Sequence, residues 1–511
     1  MHIVTLLYGI NSLFPKNKWL ILFKKRTKKL FLQLNEIKND RIMTSLFENI
    51  NSWSLLIQIF IITAAMLIGN IIRRKIGFMN RSLIPTALIG GLLIFLLKLI
   101  PSFNDLIDKN TMEIITYHTL ALGFIAMSLR VKKESCVTST TKVIETGVLT
   151  IGTYIVQALV GLVITVPLFL YCIDSEWFGN IFYAGGLLLP MGFGQGPGQA
   201  LNFGSIYQEH AMASGLPFQG KDFGLSIAAI GFIVGSVVGV VYMNILRKKG
   251  KLTIVSDKQG IKTTMEDYET DNDIPHSESV DKLTITLSMI FVVYLFVYLF
   301  MMAMNSLHLG NLWENSIKPL IWGFNFFWGI LFASLMKMIV KFLRKREIMH
   351  REYLNDYLLN RSSGFFFDIM IVAGTAAISF ENLKSFIIPL LLVCLLGAIA
   401  TFIYINWVCK ELYKGYEYEA FFAMFGTLTG TASNGMILLR EIDPKYETPA
   451  ANNLVLQNIP AVVLGLPILL VLGYAPNSLQ ATYITIGIVS VLWVVATLFI
   501  FRKRIFKKFK K

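Results

Sequence analysis

Two glycine-rich segments hold the side chains best suited to bind a small solute: MGFGQGPGQALN (191–202) and MFGTLTGTASNG (424–435). The first offers Gln195, Gln199 and Asn202, and the second offers Thr427, Thr429, Thr431, Ser433 and Asn434. All are neutral amides or hydroxyls, groups that hold a polar molecule without trapping it. Gly192, Gly194, Gly196 and Gly198 in one segment, and Gly426 and Gly430 in the other, interrupt helical continuity and free backbone N–H and C=O groups. Free amides at a half-helix N-terminus suit a carboxylate. Freed carbonyls and hydroxyls suit a sodium ion, a hard cation that favours oxygen ligands. Gly192 and Gly196 recur as Gly426 and Gly430, a shift of 234 positions that also carries Pro85 onto Pro319. A shared offset reads as a duplicated unit, each copy with its own broken, polar-lined segment.

The elements that must position these segments are apolar. The chain has 511 residues, 54% hydrophobic and 15% charged, with mean hydropathy +0.60. A soluble domain carries about 25% charged residues, so the balance indicates an all-α polytopic membrane protein. Spans are expected at about 54–72, 83–100, 112–129, 147–171 and 222–246, then at 283–306, 318–338, 363–380, 386–408 and 452–474, with an extra one at 480–500. Gly231, Gly235 and Gly239 share one helical face and allow close helix approach. The net charge of +15 could suggest nucleic acid, but the cations sit in short loops between spans, the positive-inside pattern. Cys136, Cys172, Cys394 and Cys409 have no CxxC spacing and the six histidines are scattered, so no metal site, cofactor or disulfide framework is expected. No HExxH, GxSxG or intramembrane carboxylate cluster occurs, which argues against an embedded enzyme.

Loop charge sets the topology. Loop 73–82 holds Arg73, Arg74, Lys75 and Arg81 and is expected inside; 101–111 is slightly acidic and outside; 130–142 is basic and inside. Only Asp174 and Glu176 follow the fourth span, while Arg247, Lys248, Lys249 and Lys251 follow the fifth. The chain therefore leaves span four outside and enters span five from outside, so residues 180–221 must dip in and return on the same face. The second copy behaves oppositely, because 339–361 is basic and Lys410 and Lys414 precede segment 417–450. The expectation is two inverted five-span repeats, 43–246 and 283–474, each with a re-entrant glycine-rich hairpin. They are joined by a polar cytoplasmic linker, 247–282, and followed by an extra span and basic tail, 475–511. The basic stretch 1–42 fits this topology poorly, so translation is expected to start at Met43, the rival being a cytoplasmic arm beginning at Met1.

Other polar residues are weaker candidates. Asp368, within GFFFDIMIVAG, is a candidate coupling group, since an intramembrane acid is functional by default. Gln457 and Asn458 precede Pro460 and Pro467 in a kinked span and either line the cavity or cap freed carbonyls. Arg440, after the second hairpin, either attracts an anion or, the favoured reading, is a solvated interfacial arginine, and Glu145 and Gln157 are similarly ambiguous.

At these residues the chain resembles the bacterial sodium/glutamate symporter family. IPTALIGGLL (84–93) is similar to its second-span signature, MGFGQGPGQA to its first re-entrant loop, and MFGTLTGTASNG followed by LLREIDP to its second. The likeness covers about 50–475. It implies sodium-coupled symport of glutamate or a related acidic amino acid across the bacterial cytoplasmic (inner) membrane, in a homodimer with elevator-like movement. Met191 and Phe193 stand where that family's first loop has glycine and histidine, and the second loop lacks a proline after its glycines. The backbone role of Gly192, Gly194, Gly196, Gly426 and Gly430 carries over; the neighbouring side chains differ. A sodium- or proton-coupled transporter of another small anion, such as a 2-hydroxycarboxylate, fits the same plan.

Overall fold

The structure, a computed structural model, describes residues 50–81, 83–130, 140–172, 180–252, 282–308, 310, 313–314, 318–348, 353–443 and 448–509. The stretch 1–42, Met43 and most of the linker 247–282 lie outside them. The chain divides into a short unit, Met1–Phe60, and a large one, Ile61–Lys511. Of the short unit, only the first turns of α1 (Ile50–Lys75) are described; the rest of the architecture belongs to the large unit.

Among the described residues every regular element is helical. In chain order, α2 (Thr86–Leu97), α3 (Lys109–Leu129) and α4 (Thr140–Cys172) precede a broken segment that leads into α5 (Pro197–Ala213); α6 (Gly220–Lys248) follows. The second half runs α7 (Lys282–Asn305), α8 (Lys318–Gly323), α9 (Asn325–Lys345), α10 (Asp356–Ala377) and α11 (Phe380–Leu412). Then come a broken pair, α12 (Glu417–Leu428) and α13 (Ala432–Arg440), followed by α14 (Ala450–Leu456), α15 (Asn458–Tyr474) and α16 (Leu479–Phe509).

Eight of these helices, α1, α3, α4, α6, α7, α9, α11 and α16, are long and apolar enough to cross a membrane. Their exposed faces are as apolar as their buried ones. On α7 the buried positions Thr286, Ile290, Val293, Val297 and Met301 recur every three or four residues, while Leu295 and Leu299 stand half-exposed on the other side. A helix apolar all round that buries only one stripe leaves the rest for hydrocarbon.

Four expected spans take other forms. The span at 83–100 is the 12-residue α2, entered through extended Pro85 and ended at Lys98. The span at 363–380 lies in α10, 22 residues whose first half carries Asp356 and the polar run Asn360 to Ser363, which lower its mean hydropathy. The span at 452–474 is divided at Gln457 into α14 and α15, and that at 318–338 is divided at Phe324. Proline explains the bend inside α11: Pro389 cannot donate to the preceding turn, and Phe386 leaves helical geometry with φ −133°.

Two helix pairs form the centre. As the α3 position rises through 116, 123 and 130, its α10 neighbour falls through 374, 367 and 360, so α3 and α10 run antiparallel. On α4 and α11, Lys142 donates to Leu412 O, Gly152 faces Tyr404 and Gln157 donates to Thr401 Oγ1, again antiparallel. Lysines close both ends of the α3–α10 pair. Lys98 Nζ donates to Ala376 O and Ile378 O (both 2.9 Å), and Lys337 Nζ donates to Ser128 O (2.9 Å) and Arg130 O (3.2 Å). Each satisfies carbonyls left over where a helix ends. Beside the first, buried Asp222 accepts from Ser379 N (2.7 Å), Asn382 Nδ2 (2.6 Å) and Lys109 Nζ (2.7 Å), so the α10–α11 junction has both its carbonyls and its amide paired.

Candidate functional site

The first broken segment runs as a 3₁₀ turn (Tyr183–Leu187) and a π turn (Pro190–Gly194), breaks at Gln195–Gly196 and continues as α5. Gly196 has φ +85° and ψ −174°, a region that essentially only glycine occupies. Pro197 then starts α5, where no amide hydrogen is needed. In the second segment α12 ends at Leu428, Thr429 and Gly430 break the helix, and extended Thr431 leads into α13. Its two arms pack backbone against backbone: a Cβ at Gly426 would stand 2.8 Å from Gly435 Cα. The shift of 234 carries the last residue of the first descending arm, Gly194, onto Leu428, and Gly196 onto Gly430.

The two tips meet. A Cβ built on Gly196 would lie 3.6 Å from Thr431 Cγ2 and 3.7 Å from Gly430 O. Gly196 and Thr431 are the N-cap residues of α5 and α13, and neither helix start is closed by a side chain. Two helix N-termini, each with free amides and a positive dipole end, therefore converge at one point. Freed carbonyls lie at the same place, among them Gly430 O.

Buried amides surround the junction. Gln199 is fully buried, and neither its Oε1 nor its Nε2 has a hydrogen-bond partner among the described residues. Asn434 is buried with both polar atoms equally unpartnered, and its Nδ2 lies 2.5 Å from where a Cβ on Gly430 would stand. An unpaired buried amide costs about 1–3 kcal/mol per polar group, so a fold does not keep two such residues at one junction for stability. One turn of α4 holds both descending arms: Tyr154 Oη donates to Gly194 O (3.2 Å), and Gln157 Nε2 donates to Leu428 O (2.9 Å). Gln157 Oε1 is buried and unpartnered. From α10, Met370 Cε comes within 4.0 Å of a Cβ on Gly196, and Gly374 packs on Pro197.

The sequence candidates sort by contact. Gly196, Gly430 and Thr431 form the junction, with Gln199 and Asn434 behind it. Gln195 is half-buried and Ser433 is exposed, while Gly196 and Gly430 are buried. Gly192, Gly194 and Gly198 are packing positions against Ile227, Tyr154 and Leu120. Thr427 and Thr429 donate their hydroxyl hydrogens back to Ala423 O and Phe425 O, keeping oxygen lone pairs free to accept. Asn202 is held away by its own bond, Nδ2 to Gly323 O (2.7 Å). Asp368 is half-buried on α10, two residues before Met370. Gln457 Oε1 accepts from Thr150 Oγ1 (2.6 Å), tying the α14–α15 break to α4; the side chain of Asn458 lies outside the described residues. Sequence reasoning left Gln157 ambiguous between a functional and a structural role and did not single out Tyr154, Lys98, Lys337 or Asp222. Lone cations at the ends of the runs LLIFLLK and ASLMK were the available signal for the two lysines.

A cleft of about 820 Å³ runs along α5 between α3 and α8. Its walls include Glu113, Tyr117, Asn202, Glu209, Lys318 and Trp322. Among the described residues no group of histidine, cysteine and carboxylate side chains could hold a metal ion.

Fold and site together define an all-helical, multi-pass membrane protein whose two broken helical segments meet tip to tip. No protein-family model matches the chain, and neither does any curated protein.

Proposed function

We propose that the chain is a secondary active transporter that carries glutamate, or a related acidic amino acid, together with sodium across the bacterial cytoplasmic membrane by alternating access. The observation that carries this reading is the meeting of the uncapped N-termini of α5 and α13 beside the unpartnered amides of Gln199 and Asn434. Converging helix N-termini favour a carboxylate, and the amides can bond the rest of a small polar solute. The carbonyl ends of the descending arms, with the hydroxyl oxygens of Thr427 and Thr429, favour a hard cation beside it. Binding an anion and a cation at one junction is the chemistry of symport.

The antiparallel pairs α3–α10 and α4–α11 support inverted repeats, because the third and fourth spans of two oppositely oriented copies must run in opposite directions. Each broken segment, dipping in and returning, supplies one tip from its own face. A homodimer suits such a scaffold, with the sites inside each protomer. Asp368, near Met370, is the candidate group for a proton-linked step.

The test is uptake of labelled glutamate into proteoliposomes, with and without an inward sodium gradient. Sodium-driven accumulation is expected, with competition by aspartate stronger than by citrate or malate. No accumulation by correctly inserted protein overturns the glutamate assignment; stronger competition by citrate or malate moves it to a 2-hydroxycarboxylate.

A further inference from the structure

We propose that the groove between α6 and α11 binds an acyl chain of an anionic phospholipid from the cytoplasmic leaflet, with Lys249 and Lys410 holding its phosphate. The two helices run parallel and touch at two levels. Phe223 meets Phe386 with ring centroids 5.4 Å apart, and Tyr242 meets Phe402 at 4.9 Å. Between these contacts smaller side chains leave a groove of about 470 Å³. Ile230, Val234 and Val238 form one wall, and Leu391, Ile399 and Ile403 belong to the other. Ala398 is the smallest side chain in it. Every lining residue is apolar, Cys394 included, since a buried thiol behaves as a small hydrophobe.

Length and charge select the occupant. From Leu391 to Ile403 the groove follows about 18 Å of helix, slightly more than half of a ~30 Å hydrocarbon core, the depth that one leaflet's chains reach. Leu391, Leu395, Ile399 and Ile403 are exposed, so the groove opens sideways. Lys410 lies seven residues beyond Ile403 and eleven beyond Ile399, which returns it to their face of α11. Glu411, beside it, points about 100° away round the helix. Lys249 lies eleven residues beyond Val238, on that residue's face of α6. Both lysines are exposed, at the end that loop charge assigns to the cytoplasm. Exposed Trp407 stands between Ile403 and Lys410, and tryptophan favours the headgroup level. The outer end is different. Lys384 is cut off from the groove by the break at Phe386, and its ammonium sits over the Phe380 ring at 4.8 Å. On α6 the outer Lys221 is tied to Glu113 (2.7 Å). One cation from each wall therefore awaits an anionic headgroup at the cytoplasmic end.

The adjoining face of α6 packs on the second broken segment. A Cβ on Gly231 would stand 2.6 Å from Thr429 O, and one on Gly235 would stand 2.5 Å from Thr429 Oγ1. A chain in the groove thus lies one helix away from the junction and supports the helix that holds Thr429. That effect on transport rests on the transport reading; the lipid site does not.

The experiment separates the two. Full-length protein in detergent micelles is mixed with phosphatidylglycerol and phosphatidylcholine of identical chains at equal concentration, and native mass spectrometry counts the lipids kept by each protomer. Wild type is expected to keep phosphatidylglycerol in preference. Lys249→Gln and Lys410→Gln are each expected to cut that preference about fivefold, equivalent to about 1 kcal/mol per basic residue. Lys384→Gln leaves it unchanged. Ala398→Trp, which fills the groove, is expected to remove the retained lipid; the two lysine variants, at exposed positions, carry the test if it does not fold. Glycerol 3-phosphate, a headgroup phosphate without chains, is expected not to compete. Equal retention of the two lipids by wild type, or a preference unmoved by both lysine variants, overturns the site. Loss of preference in Lys384→Gln overturns the assigned leaflet. An Ala398→Trp protein that falls from dimer to monomer and keeps its phosphatidylglycerol makes the groove a contact between copies, which also overturns the proposal. Because the readout is bound lipid, failure of glutamate uptake leaves this result standing and removes only the support of transport.

Discussion

At the residue scale, two tip glycines are required for different reasons, and the difference is measurable. Gly196 has room for a methyl group, the nearest atom being 3.6 Å away, but its φ of +85° is strained for any other residue. Gly430 has ordinary conformation but no room, since a Cβ would press on Asn434 Nδ2 at 2.5 Å and Phe232 at 3.0 Å. Gly196→Ala should therefore lower stability by about 1–3 kcal/mol, the cost of holding a non-glycine residue in that glycine-only region. Gly430→Ala should displace the Asn434 amide and raise the half-saturating substrate concentration with little change in Tm. Gln199 makes the opposite kind of prediction. Replacing it with Leu removes a buried amide that nothing in the fold satisfies, so Tm should rise while the half-saturating concentration increases about tenfold, the loss of one bond of about 1.4 kcal/mol. A Gln199→Leu protein that melts lower and transports normally would show the amide to be structural. The spacing of Gly196 and Gly430 was legible in the sequence because glycine is the residue a broken helix demands. Which amides would be left unpartnered was not. Asn202 and Asn434 look alike in the sequence, and only the position of Gly323 O decides that Asn202 is held while Asn434 is free.

At the element scale, the junction depends on helices that contribute no ligand. The α3–α10 pair stays in register because Lys98 and Lys337 close the carbonyl ends of α10 and α3 respectively, one at each end of the pair. Both ammonium groups bond two backbone oxygens that lipid cannot satisfy. Lys98→Met and Lys337→Met should each destabilise the protein by about 1.5–3 kcal/mol, the range for a charged hydrogen bond, and by similar amounts because the geometry is the same at both ends. Thermal unfolding in detergent measures this; an unchanged Tm in either variant removes that cap from the account. The apolar runs made most helices readable, since a lipid-facing helix needs little else. The exceptions have particular causes. Helix α2 is shortened by Pro85 before it and Lys98 after it, and α10 is buried against α3 and α5, so it can be polar where a lipid-facing span cannot. Pairing across helices, such as Gln157 reaching Leu428 O, has no signature in sequence, because the partner is a backbone carbonyl 271 residues away.

At the scale of the whole molecule, the reading depends on orientation. Two copies facing the same way would bring their broken segments in from one side and could not offer a site to each face in turn. Two opposed copies can, and loop charge argues for opposition while the antiparallel α3–α10 and α4–α11 pairs agree with it. The base of each broken segment offers an exposed residue for a direct test: Ser214, just after α5, and Lys414, just before α12. In a variant without Cys136, Cys172, Cys394 and Cys409, Ser214→Cys and Lys414→Cys introduce single thiols at these bases. A membrane-impermeant maleimide added to intact cells should label the thiol at 214 and spare the one at 414, which reacts only after the membrane is opened. Labelling of both from one side would put the two segments on the same face. The shared offset of 234 would then describe a parallel duplication, and alternating access through opposed hairpins would fail whatever the substrate.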